Sequence, residues 1–237
     1  MTRLSVNINK AATLRNARGG GRPNITQFAI DCESFGADGI TVHPRPDERH
    51  IKSSDLFSLA KVITKEFNIE GYPSEEFITL VLKIKPTQVT LVPDPPNVLT
   101  SNQGWDVIKN KNFLSSVINK LHLEGIRTSI FIAPQKEMIR AAKEINSDRV
   151  ELYTEFYSTN YPLNKHDAIK QYFTAANYAN ELNLGLNAGH DLDLHNLNFF
   201  HKTIPNLLEV SIGHALICDA LYLGLKETIS SYKRLLK

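Results

Sequence analysis

His43, His190 and His214 each stand just past a short apolar run: GITV, LGLNAG and EVSIG. Imidazole changes charge near neutral pH, so three of them in comparable positions point to proton transfer. The first opens HPRPDERH, residues 43–50, where His43, Arg45, Arg49 and His50 crowd together while Pro44 and Pro46 stiffen the path. A planar guanidinium suits phosphate or carboxylate, so the loop reads as an anion site beside a proton-transfer group; a solvated charged loop is the plainer account. Glu70 closes NIEGY. A carboxylate at a buried strand end is costly unless paired or protonated, which makes Glu70 either a general base or half of an ion pair. Glu151, inside RVELY, is an inward-facing acid that orders water or orients a partner, or else a structural salt bridge.

The anion-holding groups extend further. NAGHD places glycines where backbone must approach a ligand, and SIGHA is followed at once by a helix. Gly213 and His214 therefore read as backbone amides that hold an anion at a helix amino-terminus. Arg15, Arg18 and Arg22 surround the triple glycine 19–21 and suggest a flap over an anionic substrate. An RGG-like RNA patch is the rival, weakened by being one short copy. HExxH, paired CxxC and Asp-rich loops are all missing from the sequence, so His43, His50 and His190 read as acid–base groups and no metal is expected.

Such groups must be carried by strands. Strand-like runs fall at 4–9, 39–43, 68–72, 87–93, 127–132, 149–153, 185–189 and 209–213. Helix-like segments fall between them, at 26–35, 53–67 (with Ser54 able to cap), 74–85, 111–123, 136–145, up to residue 182 after a loop at 154–166, 196–201 and 215–235. A basic loop follows the first strand, and a long Pro/Asn-rich loop spans 93–104. Eight β–α pairs fit an α/β fold of the closed type, a single-domain (β/α)8 TIM barrel over residues 1–237. Ligands bind such barrels at the carboxyl ends of the strands, where the histidines stand. An open doubly wound sheet is the rival, but NKAATLRNARGGG does not supply the GxGxxG of a dinucleotide fold.

The bulk numbers narrow the class. The chain has 237 residues, 27 basic and 25 acidic, for a net charge of +2. That balance argues against a dedicated nucleic-acid binder. The amino-terminal MTRLSVNINK lacks a signal-peptide apolar region, and no apolar run reaches the ~20 residues that span a bilayer. A soluble cytoplasmic protein is expected, with Cys32 and Cys218 as two packed thiols in a reducing compartment.

Taken together, VNINKAATLRNARGG, GADGITVHPRPDERHI, NIEG, LVPD, LNAGHDL and SIGHALI, in this order, resemble the pyridoxine 5′-phosphate synthase family of vitamin B6 biosynthesis. The resemblance implies a (β/α)8 barrel, a homo-octamer, no cofactor, and two substrates, 3-amino-2-oxopropyl phosphate and 1-deoxy-D-xylulose 5-phosphate. It implies His43 and Glu70 as proton acceptors and His190 as proton donor. Contacts to the deoxyxylulose phosphate fall on Asn9, Lys10, Arg45, His50 and Thr100. Contacts to the aminoketone phosphate fall on Asn7, Arg18, Asp191, Gly213 and His214. Two departures stand out: many members read Asp-His where this chain has Asn9-Lys10, and Gly where it has Asp191. A carboxylate is unhelpful beside a phosphate, so a backbone contact, or none, is expected at Asp191. Two other readings remain open. Lys10 at a strand end could form a Schiff base, as in a class I aldolase, and a barrel that binds phosphometabolites without turnover would carry the same anion sites.

Overall fold

The computed structural model describes residues 1–93 and 103–237. Eight strands, β1 (Arg3–Asn7), β2 (Gly39–Val42), β3 (Glu66–Gly71), β4 (Gln88–Leu91), β5 (Arg127–Ile132), β6 (Arg149–Tyr153), β7 (Gly185–Gly189) and β8 (Leu207–Ile212), pair in chain order. Every pair is parallel, and β8 returns to β1 to close a barrel. Alternation along the strands explains the layers. Leu4, Val6, Ile40, Val42, Phe67, Ile69, Val89, Leu91, Ile130, Ile132, Val150 and Leu152 are buried in the apolar core shared with the helices. Residues one position away on the same strands turn into the lumen.

Barrel lumens are commonly filled by branched apolar side chains. This lumen is polar. Ser5 and Thr41 hydroxyls lie 2.7 Å apart, Asn68 Nδ2 donates to Thr41 Oγ1 at 3.3 Å, and Thr90 Oγ1 donates to Asn68 Oδ1 at 3.0 Å. At the amino-terminal end Glu66 meets Arg3 at 2.6 Å and also Arg127, with Arg149 at 3.9 Å; Arg149 stands 3.7 Å from Glu209. Those strands are not neighbours, so the contacts cross the interior.

The helices α1 (Asn9–Asn16), α2 (Ile25–Ser34), α3 (Ser53–Leu59), α4 (Glu75–Ile84), α5 (Lys111–Leu123), α6 (Lys136–Glu144), α7 (Glu155–Glu181), α8 (Leu197–Thr203), α9 (His214–Leu223) and α10 (Leu225–Leu235) surround the barrel. Ser74 Oγ accepts from the Phe77 amide at the start of α4, and Glu75, Glu76 and Lys83 complement its dipole, as the sequence suggests. No helix among the described residues is long and apolar enough to cross a membrane.

Several local expectations need correction, the packing of Cys218 among them. The first strand stops at Asn7, and α1 begins at Asn9 where a longer strand and a loop were expected. Helix α3 ends at Leu59 rather than running to residue 67, because Phe67 is needed under the sheet. Its start is held by Asp55, whose carboxylate accepts from the Lys52 amide at 2.8 Å, not by Ser54. The stretch 154–166 is largely helical. Asn164 (φ −157°, ψ 97°) interrupts α7 two residues after Pro162, and its Oδ1 accepts from the amides of His166 and Asp167, re-capping the chain. The last helix is split at Gly224, whose φ of +75° no helix interior accommodates. Of the two thiols, Cys32 is buried and Cys218 is exposed.

Candidate active site

At the carboxyl end of the barrel a cavity of about 710 Å³ is lined by residues from separate strand ends. Asn7, Asn9, Lys10, His43, Arg45, His50, Glu70, His190, Asp191, Gly213 and His214 all reach it. Arg18 does not: it is exposed in the turn after α1 and is not part of the lining. Thr100 lies outside the described residues. Among the described residues, no group of three or more His, Cys, Asp or Glu is arranged to hold a metal ion.

The β1 and β2 ends are tied together by amides. Asn9 Oδ1 accepts from the His43 backbone N–H at 2.9 Å, while Asn7 Oδ1 accepts from the Asn9 amide at 3.1 Å. Asn7 Nδ2 reaches Glu70 Oε2 on β3 at 3.5 Å. Arg15, buried against expectation for a flap residue, donates to Asp55 at 2.6 Å and to the His50 carbonyl at 3.0 Å. The neighbouring Asn16 Nδ2 donates to the same carbonyl at 2.8 Å. Together they fix the loop that carries Arg45 and His50.

Electrostatics follow from that crowding. Burial first, then the Arg45 guanidinium and His50, hold the His43 imidazole down to about 3. Burial, Arg45 and Lys10 lower His50 to about 4. Both rings are therefore neutral at pH 7. His50 Nδ1 accepts from the Ile51 amide at 2.9 Å, which leaves the ring proton on Nε2 as a neutral donor for an anion. At the opposite wall Glu151 is buried on β6, and burial together with the Glu70 carboxylate raises its pKa well above the usual range, His190 opposing. Lys10, by contrast, is solvent-exposed on the first turn of α1 and lacks the desolvated pocket that activates a Schiff-base lysine.

His190 adopts φ +89°, a rare conformation for a side-chain-bearing residue. The glycine before it is explained by packing rather than by a ligand. A Cβ at Gly189 would come within 2.7 Å of Glu151 Oε1 and of the Ser211 carbonyl. Gly213 precedes α9, whose first-turn amides have no intrahelical acceptor and open on the cavity beside His214 and Ala215.

Glu151, two-sided in the sequence, lines the cavity, as do Ser158, Asp193, Phe131 and Ser211, which no motif marks. Strand parity, which already turns Glu151 inward, was the available signal for Phe131 and Ser211: each occupies a lumen position near its strand end. The lining as a whole places cations on the β1 and β2 ends (Lys10, Arg45, Arg49) and carboxylates on the β3, β6 and β7 ends (Glu70, Glu151, Asp191, Asp193). Such a site can hold two anionic groups apart while moving protons between them.

Residues 4–237 match the family model of the pyridoxal phosphate biosynthesis protein PdxJ. Over the full length of both chains the sequence is 62% identical to the pyridoxine 5′-phosphate synthase of Bacteroides fragilis strain YCH46 and 61% identical to that of Bacteroides thetaiotaomicron. It is also 60% identical to the Cytophaga hutchinsonii protein of that name, again over the whole of both chains. Among solved structures the chain resembles a tryptophan synthase chain from M. tuberculosis (TM-score 0.67, 9% identity, covering 100% of this chain and 94% of the other). It also resembles thiamine phosphate pyrophosphorylase from Pyrococcus furiosus (TM-score 0.64, 8% identity, 99% and 95% covered). At those identities the likeness concerns the barrel alone.

Proposed function

This chain belongs to the family of the pyridoxal phosphate biosynthesis protein PdxJ, and on that basis we propose that it is a pyridoxine 5′-phosphate synthase. It condenses 3-amino-2-oxopropyl phosphate with 1-deoxy-D-xylulose 5-phosphate to give pyridoxine 5′-phosphate, inorganic phosphate and water. The observation that carries this reading is the meeting of His43, Glu70 and His190, from β2, β3 and β7, on one cavity that also holds separated anion sites.

The substrate amine attacks the ketone of the deoxyxylulose phosphate. Glu70 and His43 then take protons as an enamine forms and phosphate leaves. A captured water supplies the hydroxymethyl oxygen, and His190 protonates the second ketone as the carbon–carbon bond closes the ring. Each positioned acid or base is worth roughly 10²–10⁴-fold in rate. A phosphate dianion seated beside Arg45 opposes the positive field that lowers His43, so substrate binding strengthens the base that acts on it. The loop between β2 and α3 takes the deoxyxylulose phosphate through Arg45 and His50. The amides at Gly213 and His214 take the other phosphate. Thr100 is a further contact that the family resemblance implies, whereas Arg18, exposed outside the cavity, is assigned none; no cofactor is required, since phosphate loss and aromatisation drive the reaction.

The same reading makes the protein a cytoplasmic homo-octamer. Leu221, Tyr222 and Leu223, 73%, 90% and 49% exposed at the end of α9, offer apolar surface for assembly. Light scattering of the purified protein measures that state. The activity itself is tested by mixing enzyme with both substrates and following pyridoxine phosphate absorbance and free phosphate together. Equal yields, unchanged by chelator, are expected. Release of phosphate without the chromophore, or binding of both substrates without either product, overturns the assignment. Borohydride trapping of substrate on Lys10 would point instead to an aldolase.

A further inference from the structure

The cavity contains one carboxylate whose place differs from the rest: Asp191, directly after the histidine assigned as proton donor. Its Oδ2 lies 2.8 Å from His190 Nδ1. Adjacent residues rarely meet side chain to side chain without a constrained backbone, and here the constraint is visible. His190 takes φ +89°. The turn is fastened on both sides: Thr154 Oγ1 donates to the Gly189 carbonyl at 2.6 Å and accepts from the Asp191 amide at 3.2 Å. Asn196 Nδ2 donates to the Asp191 carbonyl at 3.2 Å. Thr154 and Asn196 are themselves buried, and the Tyr153 ring stands edge-on to the imidazole with centroids 5.6 Å apart. A strained conformation held by this many contacts is imposed by its surroundings.

We propose that Asp191 is a positioning residue for His190: its carboxylate accepts the Nδ1 proton and so fixes the ring and the tautomer in which Nε2 exchanges a proton with substrate. Donation from the imidazolium then moves the Nε2 proton to the ketone oxygen and leaves the N–H electron pair on the ring. The product is a neutral imidazole whose remaining proton stays on Nδ1, bonded to Asp191. A carboxylate behind a catalytic imidazole selects tautomer and stabilises the charged form, as in hydrolase triads. The assignment moves Asp191 from substrate contact to orienter and rests on the ring-closing reading of the cavity. The titratable groups on the elements around His190 are Glu151 and Tyr153 on β6, Asp191 and Asp193 after β7, Glu70 on β3 and His214 at the start of α9.

The test compares the full-length enzyme with Asp191→Asn, which keeps the shape but removes the charge, and Asp191→Ala. Both are expected to lower kcat by roughly 10- to 100-fold with little change in KM. The limb of the pH–rate profile on which the donor loses its proton should move down by about one pH unit, because the charge that favoured imidazolium is gone. Solid-state ¹⁵N spectra of histidine-labelled protein, with the signal assigned by its loss in His190→Gln, should show neutral His190 protonated at Nδ1 in the parent and no longer fixed so in Asp191→Ala. A raised KM with unchanged kcat and pH profile would make Asp191 a substrate contact and overturn the proposal. An unchanged tautomer in Asp191→Ala overturns it as well. If the parent enzyme turns over neither substrate, the ring-closing reading fails while the spectra still decide the Asp191–His190 arrangement.

Discussion

The two ends of the barrel lumen hold similar residue types under opposite conditions. At the amino-terminal end Arg3, Arg127 and Arg149 close on Glu66 and Glu209 in direct ion pairs across the lumen. Burial there works against the charges: it lowers Arg127 to about 10, lowers Arg149, and raises Glu209 despite the arginines beside it. Desolvation outweighs attraction, so the cluster is held in place by the fold more than it holds the fold together. At the carboxyl end the cations and carboxylates are set on different strand ends around about 710 Å³ of open cavity. Burial shifts His43, His50 and Glu151 there in the direction of neutral forms able to take or give protons. Burial of charge therefore does not mark a site by itself. Space beside the charge, and a counter-charge kept at a distance, does.

Substitutions at the two ends should separate cleanly. The largest expected effect on rate is at the open end: Glu70→Gln or His43→Ala should cut turnover by roughly 10²–10⁴-fold or more while the circular dichroism spectrum and melting temperature stay near those of the parent. Near-parental turnover would remove either residue from the chemistry. At the closed end Glu66→Gln should do the reverse, lowering stability by about 3–5 kcal/mol by denaturant titration because its arginines lose their counter-charge and one faces an amide NH2, with kcat of the folded fraction preserved. Loss of rate without loss of stability there would erase the distinction between the two ends.

Glu151 sharpens the comparison, since it is buried yet faces the cavity. Its folded-state pKa lies above the ordinary value of 4.5, so the folded form binds its proton more tightly than the unfolded chain. That contribution is full below pH 4.5 and is lost as pH rises through the raised value. Glu151→Gln should therefore flatten the decline of melting temperature above pH 4.5 and stabilise the protein at pH 7, while lowering turnover. The histidines give the opposite slope. With His43 near 3 and His50 near 4, stability present above pH 6.5 is lost as pH falls from 6.5 toward those values, because the unfolded chain takes up protons first. His50→Asn should remove part of that acid sensitivity in melting curves taken between pH 7 and 4. The smallest effect belongs to the exterior: Lys111→Ala, which breaks the exposed 2.7 Å pair with Glu144, should leave both melting temperature and rate unchanged within error.

Much of the barrel was legible because one strand face must meet the helices. RTSIFI, RVELY and GLNAG carry alternating apolar positions, and β5, β6 and β7 occupy the expected residues. The helix over residues 111–123 is likewise where its apolar spacing places it. The errors occur where local signals compete. The stretch 154–166 read as a loop, but it is largely helical and Asn164 restarts the helix after Pro162, and Gly224 breaks a run that periodicity alone would continue. Within the site, His43, Glu70 and His190 were readable from their position after apolar runs. The role of Asp191 was not, because a sequence shows it as a charge beside a phosphate loop and cannot show its carboxylate 2.8 Å from Nδ1.

The order and spacing of apolar runs, by themselves, determined an eightfold βα repeat and which residue types stand at the strand ends, since burial of one face needs no knowledge of distant partners. Only closure of the barrel decided which charges are quenched and which remain available. Glu66 and Glu70 are four residues apart on one strand, yet one sits among arginines from across the lumen and the other borders the cavity. That difference comes from the register of the other strands around them, a long-range property that no short stretch of chain contains.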